Sequence, residues 1–230
     1  MMGMATDILR LTVWLALLVA IFVPLERLFA IHRQRIWRRD AGIDLAYYFI
    51  NSLVVASLLA LPMALLASAA QWVLPPAVPA AISVLPFWAR ILAAYVVGEF
   101  GLYWGHRWSH QIPLLWRFHQ VHHSAEEIDF LTNTRAHPVD MVFTRLCGLV
   151  PVFALGLAQT SGENALVAPI VIVIGTFWGF FIHANIRWRL GWLEALVTTP
   201  AFHHWHHTND EHRDHNYAAV LPVYDRLFGT

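Results

Sequence analysis

The sequence predicts an all-α protein, a polytopic membrane helical bundle of four to five membrane segments with a helical cap at one membrane face. Three observations carry this expectation. Hydrophobic residues make up 58% of the chain and charged residues only 13%, against roughly 25% charged in an ordinary soluble domain. The apolar residues gather into five runs near the length of about 20 that crosses hydrocarbon as a helix. Thirteen of the fourteen histidines fall in two stretches that alternation of the spans puts on one side. No Gly- or Ser-rich linker divides the 230 residues, so a single domain over 1–230 is expected. A net charge of zero gives no global field for nucleic acid, which is not an expected partner.

The first run, 8–30, is interrupted by Pro24 and by Glu26–Arg27 near its end. It is too long for the apolar part of a signal peptide and lacks a basic leader and a small-residue cleavage site, so it is expected to remain as a span. The second, 43–70, has Asp44 and Asn51 near its start and Pro62 inside. The third, 85–104, leads directly into the first histidines. The fourth and fifth, 139–157 and 166–183, flank a short polar loop and predict a membrane hairpin, fully spanning or re-entrant, turning at Ser161 and Gly162. Cys147, the lone cysteine, rules out an internal disulfide framework. Arginine placement sets the orientation: Ile31-His-Arg-Gln-Arg-Ile-Trp-Arg-Arg39 is the most basic loop, and the loop 71–79 is uncharged. The basic loop is therefore expected in the cytoplasm, together with 106–137 and 183–230. The expected location is a bacterial inner membrane, embedded among its lipids.

The histidines are patterned. His106-Arg-Trp-Ser-His110 places two imidazoles on one helix face. His119-Gln-Val-His122-His123 follows Pro113, a residue that suits a helix start, and predicts one helix presenting all three rings together. His203-His-Trp-His206-His207 repeats the spacing after Thr199-Pro200, an N-cap followed by proline at the first helical position. His204 points about 100° away from that shared face, and with His32, His212 and His215 is expected in solvent. Eight imidazoles exceed the about four to six ligands of one zinc or iron ion, so two ions are expected. No His-Glu-x-x-His or Glu-x-x-His occurs, which argues against a zinc protease and against a carboxylate di-iron bundle. Because liganded imidazoles donate their second N–H to a carboxylate or carbonyl, Glu99, Asp129, Asp140 and Asp225 are candidate partners. A metal transporter would need polar residues deep in several spans, and a haem carrier would place paired histidines inside facing helices; the hydrocarbon middles and helix-end clusters fit neither well.

Glu99-Phe-Gly-Leu-Tyr-Trp-Gly-His106-Arg-Trp-Ser-His110, Trp116-Arg-Phe-His-Gln-Val-His-His-Ser124, Thr199-Pro-Ala-Phe-His-His-Trp-His-His207 and Tyr224-Asp-Arg-Leu-Phe-Gly-Thr230 together resemble the fatty acid hydroxylase/sterol desaturase superfamily, the membrane-bound, histidine-rich di-iron oxygenases. The likeness covers about Glu99 to Thr230. Ala218 stands where that family usually has glycine and Tyr224 where it has tryptophan, and its members often continue beyond the position of Thr230. The resemblance implies two further ligands, His137 in Arg135-Ala-His-Pro138 and His183 closing the fifth run. It also implies two iron ions, which zinc can replace in purified protein, and O2-dependent hydroxylation or desaturation of a lipid such as a fatty acyl chain or sterol. Electrons are then expected from an external donor, a ferredoxin or a small cytochrome with its reductase.

Overall fold

A computed structural model describes residues 2–159 and 162–230. Two long helices open the chain: α1, Met2–Leu28, and α2, Ala41–Val73. Both carry apolar side chains around their whole circumference and bury few of them, the pattern of helices facing lipid. A short helix α3, Ala77–Ser83, bends by 120° into α4, Phe87–Gln111. Next come α5, Pro113–His119, and 3-10 turns at His122–Ser124 and Phe130–Thr134. The rest comprises α6, Pro138–Ala154; α7, Val167–His183; α8, Pro200–His206; and α9, Val223–Phe228. No strand occurs among the described residues.

Three helices are long and apolar enough to cross a membrane, namely α1, α2 and the Glu163–His183 stretch that includes α7, and the bent α3–α4 pair makes a fourth candidate. The fourth expected run, 139–157, is covered by the 17-residue α6. At 1.5 Å per residue it falls short of a hydrocarbon core about 30 Å thick. Of the hairpin turn expected after it, Ser161 lies outside the described residues, while Gly162 adopts φ 65°, a conformation that glycine reaches without a Cβ penalty.

The α4–α6 contact positions the histidines, and its closeness comes from glycine. A Cβ on Gly101 would lie 2.0 Å from the Cys147 carbonyl oxygen, and one on Gly105 would lie 2.8 Å from Cys147 Cβ. Gly101-Leu-Tyr-Trp-Gly105 thus forms a small-x-x-x-small face, the device by which membrane helices pack backbone to backbone where lipid gives no hydrophobic drive. Ala94, Leu149, Val152, Phe153, Val167 and Ala168 fill the core where α4, α6 and α7 meet. A second cluster, Leu18, Phe22, Tyr48, Phe130 and Phe180, ties α1 and α2 to α7.

The basic loop after α1 lies at the histidine end of the bundle. Asn185 Oδ1 accepts from the backbone N–H groups of Ile31 and His32 at 3.1 and 3.0 Å, and Gln34 Nε2 donates to the Ile128 carbonyl at 2.9 Å.

Candidate metal centre

Box by box, the sequence delivers its imidazoles to one place. His106 and His110 sit one above the other on the last turns of α4. The second box does not form the single helix expected of it. The α-helix ends at His119 and the chain tightens into the 3-10 turn containing His122 and His123, so the three rings no longer share a face. The third box folds as its sequence predicts: Thr199 caps α8 by accepting from the Phe202 N–H, Pro200 takes the first helical position, and His203 and His206 are buried.

Nine rings converge in two groups. His106, His110, His119, His123 and His206 form one; His122, His183, His203 and His207 form the other. Within each group the ligating nitrogens lie within 4.8 Å of one another. The two H-x-x-H-H motifs divide in opposite senses: His119 and His123 join the first group while His122 crosses to the second, and His203 and His207 join the second while His206 crosses to the first. The groups abut, with the His123 and His207 rings stacked at 4.5 Å.

The hydrogen bonds fix which nitrogen faces inward. A carbonyl can only accept, so the Nδ1 atoms of His106, His122, His183 and His206 carry the proton and donate to Tyr217 O (2.7 Å), Arg135 O (2.9 Å), Gly179 O (2.7 Å) and His215 O (2.8 Å). His119 Nδ1 meets Asp140 Oδ2 at 3.0 Å, and His110 Nδ1 meets Asp214 Oδ1 at 3.1 Å. In a neutral ring each Nε2 is then a bare lone pair. The Nε2 atoms of His106, His110, His119 and His206 are buried with no hydrogen-bond partner. In the second group the Nε2 atoms of His122 and His203 stand 3.1 and 3.0 Å from that of His183. Lone pairs brought together away from water repel unless a cation lies between them, so the donor set fits a metal ion in each group. Protonation is opposed as well: burial and the neighbouring His119 push His122 down to about 4, and burial and neighbouring imidazoles hold His123, His203, His206 and His207 well below the usual range.

Several expectations need correction. His137 stands outside both groups; its Nδ1 accepts from the Val139 N–H at 3.2 Å and caps α6, and its ring packs on Phe118. Of the four carboxylates considered as imidazole partners, only Asp140 touches one, and its other oxygen accepts from Ser109 Oγ at 3.2 Å. Glu99 accepts from the Val220 N–H at 2.8 Å. Asp225 accepts from the N–H groups of Tyr217 and Ala218 at 2.7 and 2.9 Å. Both carboxylates secure the segment whose Tyr217 carbonyl orients His106, and so act one step further from the ring than expected. Asp129 binds Arg38 at 2.7 and 2.8 Å and caps the Phe130–Thr134 turn. His204, expected in solvent, uses Nε2 to donate to the His183 carbonyl at 3.1 Å. Asp214 was missed, because its exposed loop gives no sequence signal of proximity to His110.

A cavity of about 520 Å³ opens onto the centre. His106 and His119 of the first group and His122, His183 and His203 of the second line one end; Leu18, Leu149, Val152, Ile172 and Val173 line the remainder, between α1, α2, α4, α6 and α7.

The sequence profile described as fatty acid hydroxylase matches residues 91–230. Among curated proteins, the chain is 33% identical over 149 residues to an ornithine lipid hydroxylase of Rhizobium tropici, covering 63% of this chain and 42% of that protein. It is 32% identical over 139 residues to the alkylglycerol monooxygenase of Homo sapiens, covering 60% and 29%. It is 30% identical over 161 residues to a methylsterol monooxygenase of Arabidopsis thaliana, covering 64% and 55%. The aligned stretch is thus under two thirds of each relative's length. No solved structure matches. With its profile match extending over more than half of its length, through all three histidine boxes, the chain belongs to the fatty acid hydroxylase family.

Proposed function

We propose that this integral membrane protein is an O2-dependent oxidoreductase that hydroxylates a C–H bond of a lipid, with desaturation the closest alternative outcome. The observation that carries this is the juxtaposition of two imidazole groups with an apolar cavity that reaches both. Cavities of about 300–1,000 Å³ suit small-molecule ligands, and these walls favour hydrocarbon. The relatives' names, which include an ornithine lipid hydroxylase and an alkylglycerol monooxygenase, support a lipid substrate.

In this reading the ligands are His106, His110, His119, His123 and His206 for one ion, and His122, His183, His203 and His207 for the other. The ions are iron in the cell, with zinc an accepted substitute in purified protein. When bound, they supply the activation of dioxygen and the removal of hydrogen from an unreactive carbon, chemistry that no side chain offers. For hydroxylation the balance is one lipid C–H, one O2, two electrons and two protons giving the alcohol and one water. The electrons come from a ferredoxin or a small cytochrome with its reductase.

The chain's own residues set the conditions. Asp140 and Asp214 hold the His119 and His110 rings with Nε2 inward, and the carbonyls of Tyr217, Arg135, Gly179 and His215 do the same for four others. Leu149, Val152 and Ile172 exclude water from the lipid's path. The basic loop 31–39 shares the histidine end of the bundle, so that end faces the cytoplasm of the proposed bacterial inner membrane, where reductants are available.

The direct test compares lipid extracts, by mass spectrometry, from cells with and without the protein grown under 18O2. A lipid gaining one oxygen atom of mass 18 only when the protein is present is the expected result. Extracts that match in every lipid class would sink the proposal.

A further inference from the structure

The cavity wall is apolar apart from a few groups, and one of them is a cation without a counter-ion. Arg145 lies on the cavity-facing stripe of α6 that also contains Asp140, Met141, Thr144, Gly148, Leu149 and Val152. Among the described residues its guanidinium forms no hydrogen bond and no ion pair. The fully buried arginines differ: Arg38 and Arg135 are bound to Asp44, Asp129 or Asp40, and Arg90 to Asn164 and Glu163, whereas the partly buried Arg107 donates to the Tyr103 hydroxyl and lies over the Trp104 ring. An arginine retained in a hydrocarbon wall without a carboxylate is costly unless something of opposite charge completes it. Water or a headgroup reached by snorkelling is the bland completion. The position speaks for a ligand instead. Gly105 on α4 packs against Thr144 and Cys147, which places Arg145 near the level of the adjacent His106, beside the space that the substrate would fill.

We propose that Arg145 is a specificity-determining residue that binds an anionic group, carboxylate or phosphate, on a lipid held in this cavity. The proposal rests on the reading of the cavity as the lipid site. It adds that the ligand is anionic and that its charged end lies at the metal-proximal part of the cavity, with the hydrocarbon trailing past Leu149, Val152 and Ile172. A guanidinium presents its N–H groups as a planar fork matched to carboxylate or phosphate oxygens, which a neutral hydroxyl ligand cannot exploit to the same degree.

The test is competition binding against radiolabelled palmitate on the purified, metal-loaded full chain in detergent, with unlabelled palmitate, hexadecyl phosphate and 1-hexadecanol as competitors. At least one anion should bind about tenfold or more tightly than the alcohol, a discrimination in the range of one charged hydrogen-bonded contact. Palmitate ahead of hexadecyl phosphate, or the reverse, would identify the anion as carboxylate or phosphate, and either order supports the proposal. Arg145→Gln should erase the anion's advantage while leaving alcohol binding and metal content as in the unsubstituted protein. Arg145→Lys, which keeps the charge and loses the planar fork, should retain only part of the advantage, and it gives an independent reading if Arg145→Gln does not accumulate. Equal affinity for anions and alcohol, or an anion preference that survives in Arg145→Gln, would overturn the anionic anchor while leaving the lipid oxygenase reading in place. Binding of none of the three by metal-loaded protein would count against both.

Discussion

His122 and His183 each donate their Nδ1 proton to a backbone carbonyl, and their unprotonated Nε2 atoms face one another at 3.1 Å. Sixty-one residues separate them in the chain. Two acceptors at hydrogen-bond distance form a site suited to a cation, and elemental analysis can count the ions held. Protein prepared without chelator is expected to hold roughly two ions per chain. His122→Ala or His207→Ala should lose the second group's ion, abolish activity and leave the protein in the membrane, because the packing of α1, α2, α4 and α7 does not depend on either ring. His137→Ala should keep both ions and cost about 1 kcal/mol through the lost α6 cap. Retention of two ions in His122→Ala would refute the ligand assignment.

The neighbouring carboxylate gives a graded effect. Asp140→Asn removes the charge that faces His119 Nδ1 while keeping the side chain's shape. Loss of such an outer partner weakens metal binding by about 10–100-fold. The expected result, by chelator titration, is that the first group's ion leaves at lower chelator concentration while the second group's ion is held as before. Asp214→Asn should act in the same direction and more weakly, since that carboxylate is half exposed.

Substitution at the helix contact separates packing from chemistry. Gly101→Ala drives a methyl into the Cys147 carbonyl 2.0 Å away, and neither backbone can yield without parting α4 from α6. A loss of more than about 3 kcal/mol is expected, read as a lower melting temperature in detergent or as failure to accumulate. Gly175 lines the same cavity but has nothing within 4 Å of where a Cβ would sit, so Gly175→Ala should melt at or slightly above the original temperature. Equal melting temperatures for Gly101→Ala and Gly175→Ala would show that the two helices are not in backbone contact.

Sidedness can be tested with single cysteines in a Cys147→Ser background. Probes at Ser124 and Asn209 should label from the cytoplasm, and one at Gln71 from the opposite side. Labelling of Ser124 and Asn209 from opposite sides would make a joint centre impossible, because about 30 Å of hydrocarbon would lie between their boxes.

The long apolar runs made the bundle legible from sequence, since hydropathy and length dictate α1, α2 and α7 directly. The third box was legible too, because Thr199 and Pro200 are local start signals acting on the helix that carries the rings. The second box was misread as one helix, since nothing in Gln120-Val121 marks the tightening after His119. The partners of the imidazoles were mostly hidden. Four of them are backbone carbonyls, which every residue possesses and which only tertiary structure selects. Asp129 and Glu99 were mistaken for ring partners because their charge and depth were visible while the Arg38 side chain and the Val220 amide they bind are 91 and 121 residues away.

Asp44, on the first turn of α2, is fully buried and binds both Arg38 and Arg135, and the Arg135 carbonyl is the acceptor for His122. Residues ahead of the stretch recognisable by family resemblance therefore form part of the frame around the second histidine group. Anyone transplanting the histidine boxes into another scaffold, or trimming the chain to its 91–230 portion, would sever that frame. The exchangeable unit is α2 with its preceding basic loop plus the 126–137 segment, moved together.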